Sequence, residues 1–279
     1  MVITTIPTKG DLYIDENLKK NLDNVKDSVY NKKWDYFVVI AGIPRVGKST
    51  FAQQIASYLD PTFNIDRFCF TAREYIEKSS KLTKGQAIIL DESFADLNTN
   101  LSRSPEFVAL INHMQVIGQN NLFHILVLPD FFSLAKNVAL FRASHLFVIY
   151  AVDYNRGRFA AFGRENKSKL YEDGKRYTNY QAVEPNFRGR FVSKWLVDEE
   201  EYNKRKKKHQ MEQAKTPIKI HRWVKQRNKL IRYMINELKF TQTKVGEISG
   251  FSRQAIELVL NGKDEDTLEI MPEPHANII

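Results

Sequence analysis

Gly42-Ile43-Pro44-Arg45-Val46-Gly47-Lys48-Ser49-Thr50 fits the pattern G-x-x-x-x-G-K-[ST] and directly follows an apolar strand candidate, Tyr36 to Ala41. In such a loop the glycines let backbone N–H groups close around phosphate oxygens, the lysine neutralises β and γ charge, and the first hydroxyl ligates magnesium. The pattern therefore assigns all nine residues to nucleotide contact, Lys48 also to catalysis and Ser49 also to the metal. A helix from Lys48 to about Leu59 would turn its positive end on the same anion.

A second motif lies downstream in the order that chemistry requires. Ala87-Ile88-Ile89-Leu90-Asp91-Glu92 is four apolar residues ending in two carboxylates, the signature of a buried parallel strand that delivers acids at its C-terminal edge. Ligands of open α/β sheets sit at that edge. Asp91 is expected to hold magnesium through water, and Glu92 to polarise the water that attacks the γ-phosphate. Phosphoryl transfer to a metabolite needs no water-activating glutamate, so hydrolysis of ATP with Mg2+ is the favoured reaction.

At 279 residues with 43% hydrophobic content, the chain exceeds the usual length of one domain and can bury a sizeable core. The single cysteine, Cys69, cannot form an internal disulfide and reads as a small core hydrophobe. The first residues lack the basic-then-apolar pattern of a signal peptide. The most apolar stretch, Leu122 to Leu134, contains His124, Pro129 and Asp130 and is too short to span a bilayer. A cytoplasmic protein is expected, in the host cytoplasm if viral. His113, His124 and His145 fall on separate elements and are expected to be packed or surface groups. No Cys/His cluster has metal-ligand spacing, and zinc and disulfides are excluded as organising forces.

Positive charge is concentrated in one part. Residues 202–263 hold 16 Lys/Arg against 4 Asp/Glu, whereas the whole chain carries only +9, so the remainder is acidic on balance. The run Lys204 to Lys208 is either a solvated helix face or a phosphate-attracting patch. Residues 236–263 then parse as two short helices joined by a tight turn. Thr241 caps the first, Val245 and Ile248 give it an inward face, Gly250 supplies a left-handed turn residue, and Ser252 caps the second. Ile256, Val259 and Leu260 face inward, leaving Arg253, Gln254 and Glu257 outward near the helix start, where base edges are read. The segment resembles the helix-turn-helix of phage-repressor-like regulators at Thr241-Gln242, Gly250 to Gln254 and Leu260 to Gly262, with Gly246 where a small alanine is usual. That resemblance implies duplex DNA contact through Thr241, Gln242, Ser252, Arg253, Gln254 and Glu257. The competing reading is a helical hairpin for protein contact.

Between the ends, Leu18, Leu22, Val25 and Val29 repeat at helical spacing over residues 15–31. Strands are expected at Phe68 to Phe70, His124 to Leu128 and Leu146 to Tyr150, and helices at Thr71 to Ser79 and 104–118, where Phe107, Leu110, Ile111 and Met114 share a face. This alternation predicts an α/β fold with a parallel sheet. Asn155-Arg156-Gly157 reads as a hairpin turn and Tyr171 to Lys175 as a second one. Between and around them Arg156, Arg158, Arg164, Lys167, Lys169, Lys175 and Arg176 interleave with aromatic residues. Such a ribbon either grips nucleic acid, including single strands, or is an ordinary solvated hairpin.

The order of elements over residues 34 to about 152 resembles the additional-strand ATPases of the RecA-like group, especially FtsK- and HerA-type DNA motors and the Zot-type proteins of filamentous phage. The resemblance implies a homo-oligomer in which a polar sensor, commonly Gln, ends the strand after the acidic one. Here Leu128 is followed by Pro129 and Asp130, which leaves Asp130 as a substitute. It also implies an arginine reaching a neighbouring subunit's nucleotide, for which Arg142 is the candidate against a simple surface ion pair.

The expected organisation is a P-loop ATPase domain over residues 1–198 with a β-hairpin appendage, a charged linker over 199–218, a helix-turn-helix domain over 219–265 and a flexible tail over 266–279. The favoured function is ATP-driven translocation, packaging or partition of viral or mobile-element DNA. An ATP-gated transcriptional regulator is the alternative. A Zot-like virion assembly ATPase is a third, although that class normally carries a membrane span and none is read here.

Overall fold

Six consecutive apolar residues between Asp35 and Gly42 are best accommodated by burial on both faces, and Tyr36–Ala41 is buried throughout as an inner strand of a seven-stranded sheet. The computed structural model describes residues 2–91, 105–215 and 222–261. The elements run β1 (Val2–Ile6), β2 (Gly10–Ile14), α1 (Glu16–Asn31), β3 (Tyr36–Ala41), α2 (Lys48–Leu59), β4 (Phe68–Cys69), α3 (Ala72–Ser79), β5 (Ala87–Asp91) and α4 (Pro105–Val116). They continue with β6 (Phe123–Leu128), β7 (His145–Val152), β8 (Asn155–Phe162), α5 (Arg164–Gly174), β9 (Phe187–Arg190), α6 (Glu199–Lys215), α7 (Arg222–Asn236), α8 (Gln242–Ser249) and α9 (Arg253–Leu260). Two compact units result, Met1–Gln210 and Met211–Ile279.

The sheet order is β4-β5-β6-β3-β7-β8-β9, parallel from β4 to β7 and antiparallel at β8 and β9. This is an α/β fold in which β6, the strand that follows the acidic one, is inserted between it and the loop strand. Alternation along each inner strand divides the core into two layers. Val38, Ile40, Ala87 and Ile89 face α2 and the aromatic cluster of Phe51, Phe147, Phe159 and Phe191. Phe37, Val39, Ile88 and Leu90 face the opposite layer with Leu110, Met114 and Tyr75. Fully buried Cys69 belongs to that second layer, where burial pushes its thiol up to about 12. β1 and β2 form a separate antiparallel hairpin.

Three expectations for the first unit are corrected. The β7–β8 turn is at Asp153 and Tyr154, which adopt φ of 50° and 62°, so Asn155 to Gly157 already belongs to β8. The supposed second turn, Tyr171 to Lys175, falls mostly in the last turn of α5. The basic residues expected on one ribbon are therefore split between a hairpin and a helix. Lys167 is buried, donating to the carbonyls of Leu140 at 3.2 Å and Ala143 at 2.6 Å and to that of Ala139, and burial pushes its ammonium down to about 8. It caps the turn at Val138–Arg142 and does not face solvent. The third correction concerns the linker: α6 begins at Glu199, and its first turns belong to the first compact unit through buried Tyr202.

In the second unit Ile231, Val245, Ile256 and Val259 form a small core, supported by Phe240 and Phe251. Thr241 Oγ1 accepts from Lys244 N at 3.3 Å and Ser252 Oγ from Ala255 N at 3.3 Å, so both hydroxyls cap as read from sequence. Gly250 takes φ of 73° between the helices. Gly246 has its own reason: a Cβ there would come within 2.9 Å of the Phe251 carbonyl oxygen. Ile248 is 58% exposed and does not join the core, contrary to expectation. Glu92, residues 216–221, Gly262 and the tail lie outside the described residues.

Candidate nucleotide site

The chain leaves β3 at Ala41 and turns immediately at Gly42, whose φ of 148° brings its α-carbon against β7. A Cβ at this position would lie 2.3 Å from the Ile149 carbonyl oxygen, so only glycine fits. Ile43, Pro44 and Arg45 arch outward, exposed, while Val46 anchors the loop in the core. Gly47 closes the arch in the left-handed region at φ 99° and serves as N-cap of α2. With no capping side chain at that end, the first N–H groups of α2 point into the loop. Lys48 Nζ donates to the carbonyls of Gly42 at 2.7 Å and Ile43 at 2.8 Å, which sets its positive charge inside the arch. Ser49 and Thr50 follow in the first turn, partly exposed.

Asp91 ends β5, aligned through Val127 with Ile40. Two strand spacings separate β5 from β3, about 10 Å, a gap that a metal-bound phosphate chain can bridge. Residues 87, 89 and 91 share the sheet face covered by α2, so Asp91 and the start of α2 lie on the same side. The Asp91 carboxylate is fully buried. Its Oδ2 accepts from the Tyr202 hydroxyl at 2.6 Å and lies 3.7 Å from Lys206 Nζ. Its Oδ1 has no hydrogen-bond partner among the described residues. A buried carboxylate oxygen without a donor is costly, and a cation satisfies it. The residues present therefore fit a magnesium ion, with Ser49 and Asp91 as the groups that would hold it.

Nothing local in the sequence marks Tyr202, just before the basic run Lys204 to Lys208, or Lys206 within it. What brings α6 here is a pair of buried glutamines on α2. Gln53 donates to Lys194 O at 2.8 Å and accepts from Leu196 N at 3.0 Å, and Gln54 donates to Val192 O at 2.7 Å. Trp195 then packs tilted on Tyr202 at 4.7 Å, and Phe68 meets it edge-on at 5.1 Å.

Two expected residues are not brought to the site. Arg142 forms an ion pair with Asp35, without hydrogen-bond alignment, at the opposite end of β3. Its Nε donates to Met114 O at 2.6 Å, and its guanidinium lies 4.8 Å from the Phe37 ring centroid. Only 19% exposed, it is held within its own chain and is unsuited to reach another subunit's nucleotide. Asp130 is likewise occupied: it accepts from Phe132 N and Ser133 N and from the Tyr180 hydroxyl, bracing the turn after β6 in place of a sensor. In the second unit Thr241, Ser252, Arg253, Gln254 and Glu257 are exposed and Gln242 partly so.

The histidines serve packing. Tyr75 and His124 share a 2.6 Å hydrogen bond at Nδ1, and burial, then the charge of Arg142, holds His124 well below its usual pKa. Burial pushes His145 down to about 4. Among the described residues no cluster of His, Cys, Asp or Glu could hold a metal by itself, and no helix is long and apolar enough to cross a membrane.

No family model matches the chain, and no curated protein matches it. Among solved structures it is similar to the genome packaging NTPase B204 from Sulfolobus turreted icosahedral virus 2 in complex with ATP-gammaS, at 13% identity and a TM-score of 0.36, over 48% of this chain and 94% of that chain. It is also similar to the N-terminal domain of zonular occludens toxin from Neisseria meningitidis, at 13% identity and a TM-score of 0.38, over 61% of this chain and 98% of that chain.

Proposed function

We propose that the chain is a magnesium-dependent ATPase that moves, packages or partitions DNA. The carrying observation is the pairing of an arched loop, with Lys48 seated on its carbonyls, and a buried carboxylate two strands away, one oxygen of which has no hydrogen-bond partner among the described residues. Backbone N–H groups and Lys48 would hold the β- and γ-phosphates, Ser49 and Asp91 the metal, and Glu92 would polarise the attacking water. Magnesium, when bound, neutralises phosphate charge and orients the chain. Lys48→Ala should abolish nucleotide binding, because no other loop side chain sets a cation on those carbonyls. Unchanged affinity for a fluorescent ATP analogue would remove the loop from its role.

The DNA part of the reading rests on the second unit. Ser252 caps α9 and leaves Arg253, Gln254 and Glu257 exposed around its start, where a helix entering the major groove reads bases. The same exposure favours one other reading, an ATP-gated transcriptional regulator. ATP turnover with and without duplex DNA separates the two. A DNA-handling ATPase accelerates several-fold on duplex of any sequence, whereas a regulator is barely stimulated and binds one short site far more tightly than bulk DNA. Alanine at both Arg253 and Gln254 should weaken DNA binding and leave ATP affinity unchanged.

A further inference from the structure

Resting on the nucleotide reading above, we propose that α6 is a working part of the metal site. Tyr202 is a positioning residue that pins Asp91 by Oδ2 and thereby presents Oδ1 to magnesium, and Lys206 is the cation that the metal must displace in charge at that carboxylate.

The observations form a chain. Lys206 Nζ donates to the Tyr202 hydroxyl oxygen at 3.0 Å, and that hydroxyl donates to Asp91 Oδ2 at 2.6 Å. An ammonium polarising a phenol strengthens the phenol's own donation, so the carboxylate is fixed in rotation. Fixing one oxygen leaves the other, buried and without a hydrogen-bond donor among the described residues, at the C-terminal edge of the sheet. An outer hydrogen bond of this kind is how proteins orient a metal-binding carboxylate. Lys206 adds a second effect of opposite sign. Its charge is 3.7 Å from Oδ2 and only 20% exposed, so it opposes a divalent cation arriving at the same group.

Tyr202 is held where it can do this. Its ring packs on Phe68, Phe70 and Trp195, and one turn of helix later Arg205, braced by Glu201 of the same helix at 2.7 Å, ties α6 down to Asp66 at 2.9 Å. A hydroxyl placed only for packing would not need that register.

The test is a magnesium titration of fluorescent ATP-analogue binding to the full chain, with an EDTA arm and an unfolding temperature for each variant. Tyr202→Phe keeps the ring contacts and should raise the half-saturating magnesium concentration about tenfold. Lys206→Met should lower it several-fold. Neither should alter binding in EDTA. An unchanged half-saturation in either variant removes that residue's part. A shift of both in the same direction, alongside lower unfolding temperatures, overturns the proposal and makes α6 a packing helix. If the wild-type chain and Lys48→Ala bind alike, the nucleotide reading itself has failed, an outcome distinct from failure of α6 alone.

Discussion

The two ends of the sheet treat an acid in opposite ways. At the N-terminal end of β3, Asp35 meets the Arg142 guanidinium directly, and that arginine is further held by the Met114 carbonyl and the Phe37 ring. At the C-terminal end of β5, Asp91 is held by one oxygen through a phenol, with a lysine set back at 3.7 Å and the other oxygen without a hydrogen-bond partner among the described residues. The first arrangement is closed: charge and counter-charge are both supplied by the chain. The second is open by one ligand. Hydrogen bonds are unmade at both ends, at Asp35 Oδ2 and Arg142 as at Asp91 Oδ1; the difference lies in charge, since the guanidinium sits directly on Asp35 whereas Lys206 stands 3.7 Å from Asp91 Oδ2.

The sharpest way to break this comparison is at the loop. Gly42→Ala places a methyl group 2.3 Å from the Ile149 carbonyl oxygen at a φ of 148°. Relieving that clash must move the arch, at a cost of about 3 kcal/mol. Affinity for a nucleotide analogue should then fall about a hundredfold, since each 1.4 kcal/mol is tenfold. Wild-type affinity in this variant would mean that the C-terminal edge is not where nucleotide binds.

Next in size is the closed end. Arg142→Ala leaves Asp35, 17% exposed, without its partner and opens a gap against Phe37. Removing one member of a buried pair costs about 3–5 kcal/mol, and residual solvent access brings the expectation down to about 3 kcal/mol in chemical denaturation. Nucleotide affinity of the folded protein should be unchanged. If ATP turnover collapsed while stability held, Arg142 would regain the inter-subunit role that its present contacts deny it.

How much of each end could be read in advance follows from the range of the interactions involved. The loop, β3 and the start of α2 are consecutive in sequence, and β5 announces its acid by four apolar residues, so the open site was legible. The caps at Thr71, Thr241 and Ser252 are equally local. Tyr202 lies 111 residues from Asp91, in a run whose charge suggested solvent, and nothing in its neighbours signals the contact. Arg142 and Asp35 pair for reasons of strand order alone. Lys167 hid α5 because a buried lysine interrupts the apolar stripe by which a helix is recognised. At the β7–β8 turn a tyrosine occupies a left-handed position that favours glycine or asparagine, so the nearby Asn155 to Gly157 drew the assignment two residues late.

The smallest expected effect uses pH to tell the ends apart. His124 and His145 stand on β6 and β7, paired in register with Phe37 and Val38 of β3, in the half of the sheet that carries Asp35 and Arg142. Burial holds His145 at about 4, against an ordinary value of 6.5, and holds His124 lower than its own ordinary value. Both are therefore neutral in the folded chain at pH values where the unfolded chain binds their protons. Between pH 6.5 and 4 the unfolded state carries more protons, and stability must fall as pH falls. For His145 the full shift is worth about 3 kcal/mol, and solvent reaching the partly exposed ring reduces this to about 2 kcal/mol. Denaturation midpoints across that window should drop in the wild type and drop less in His145→Gln, whose side chain does not titrate. Equal slopes would show that the imidazole is as solvated in the folded chain as in the unfolded one, and the closed end would then not be closed to protons.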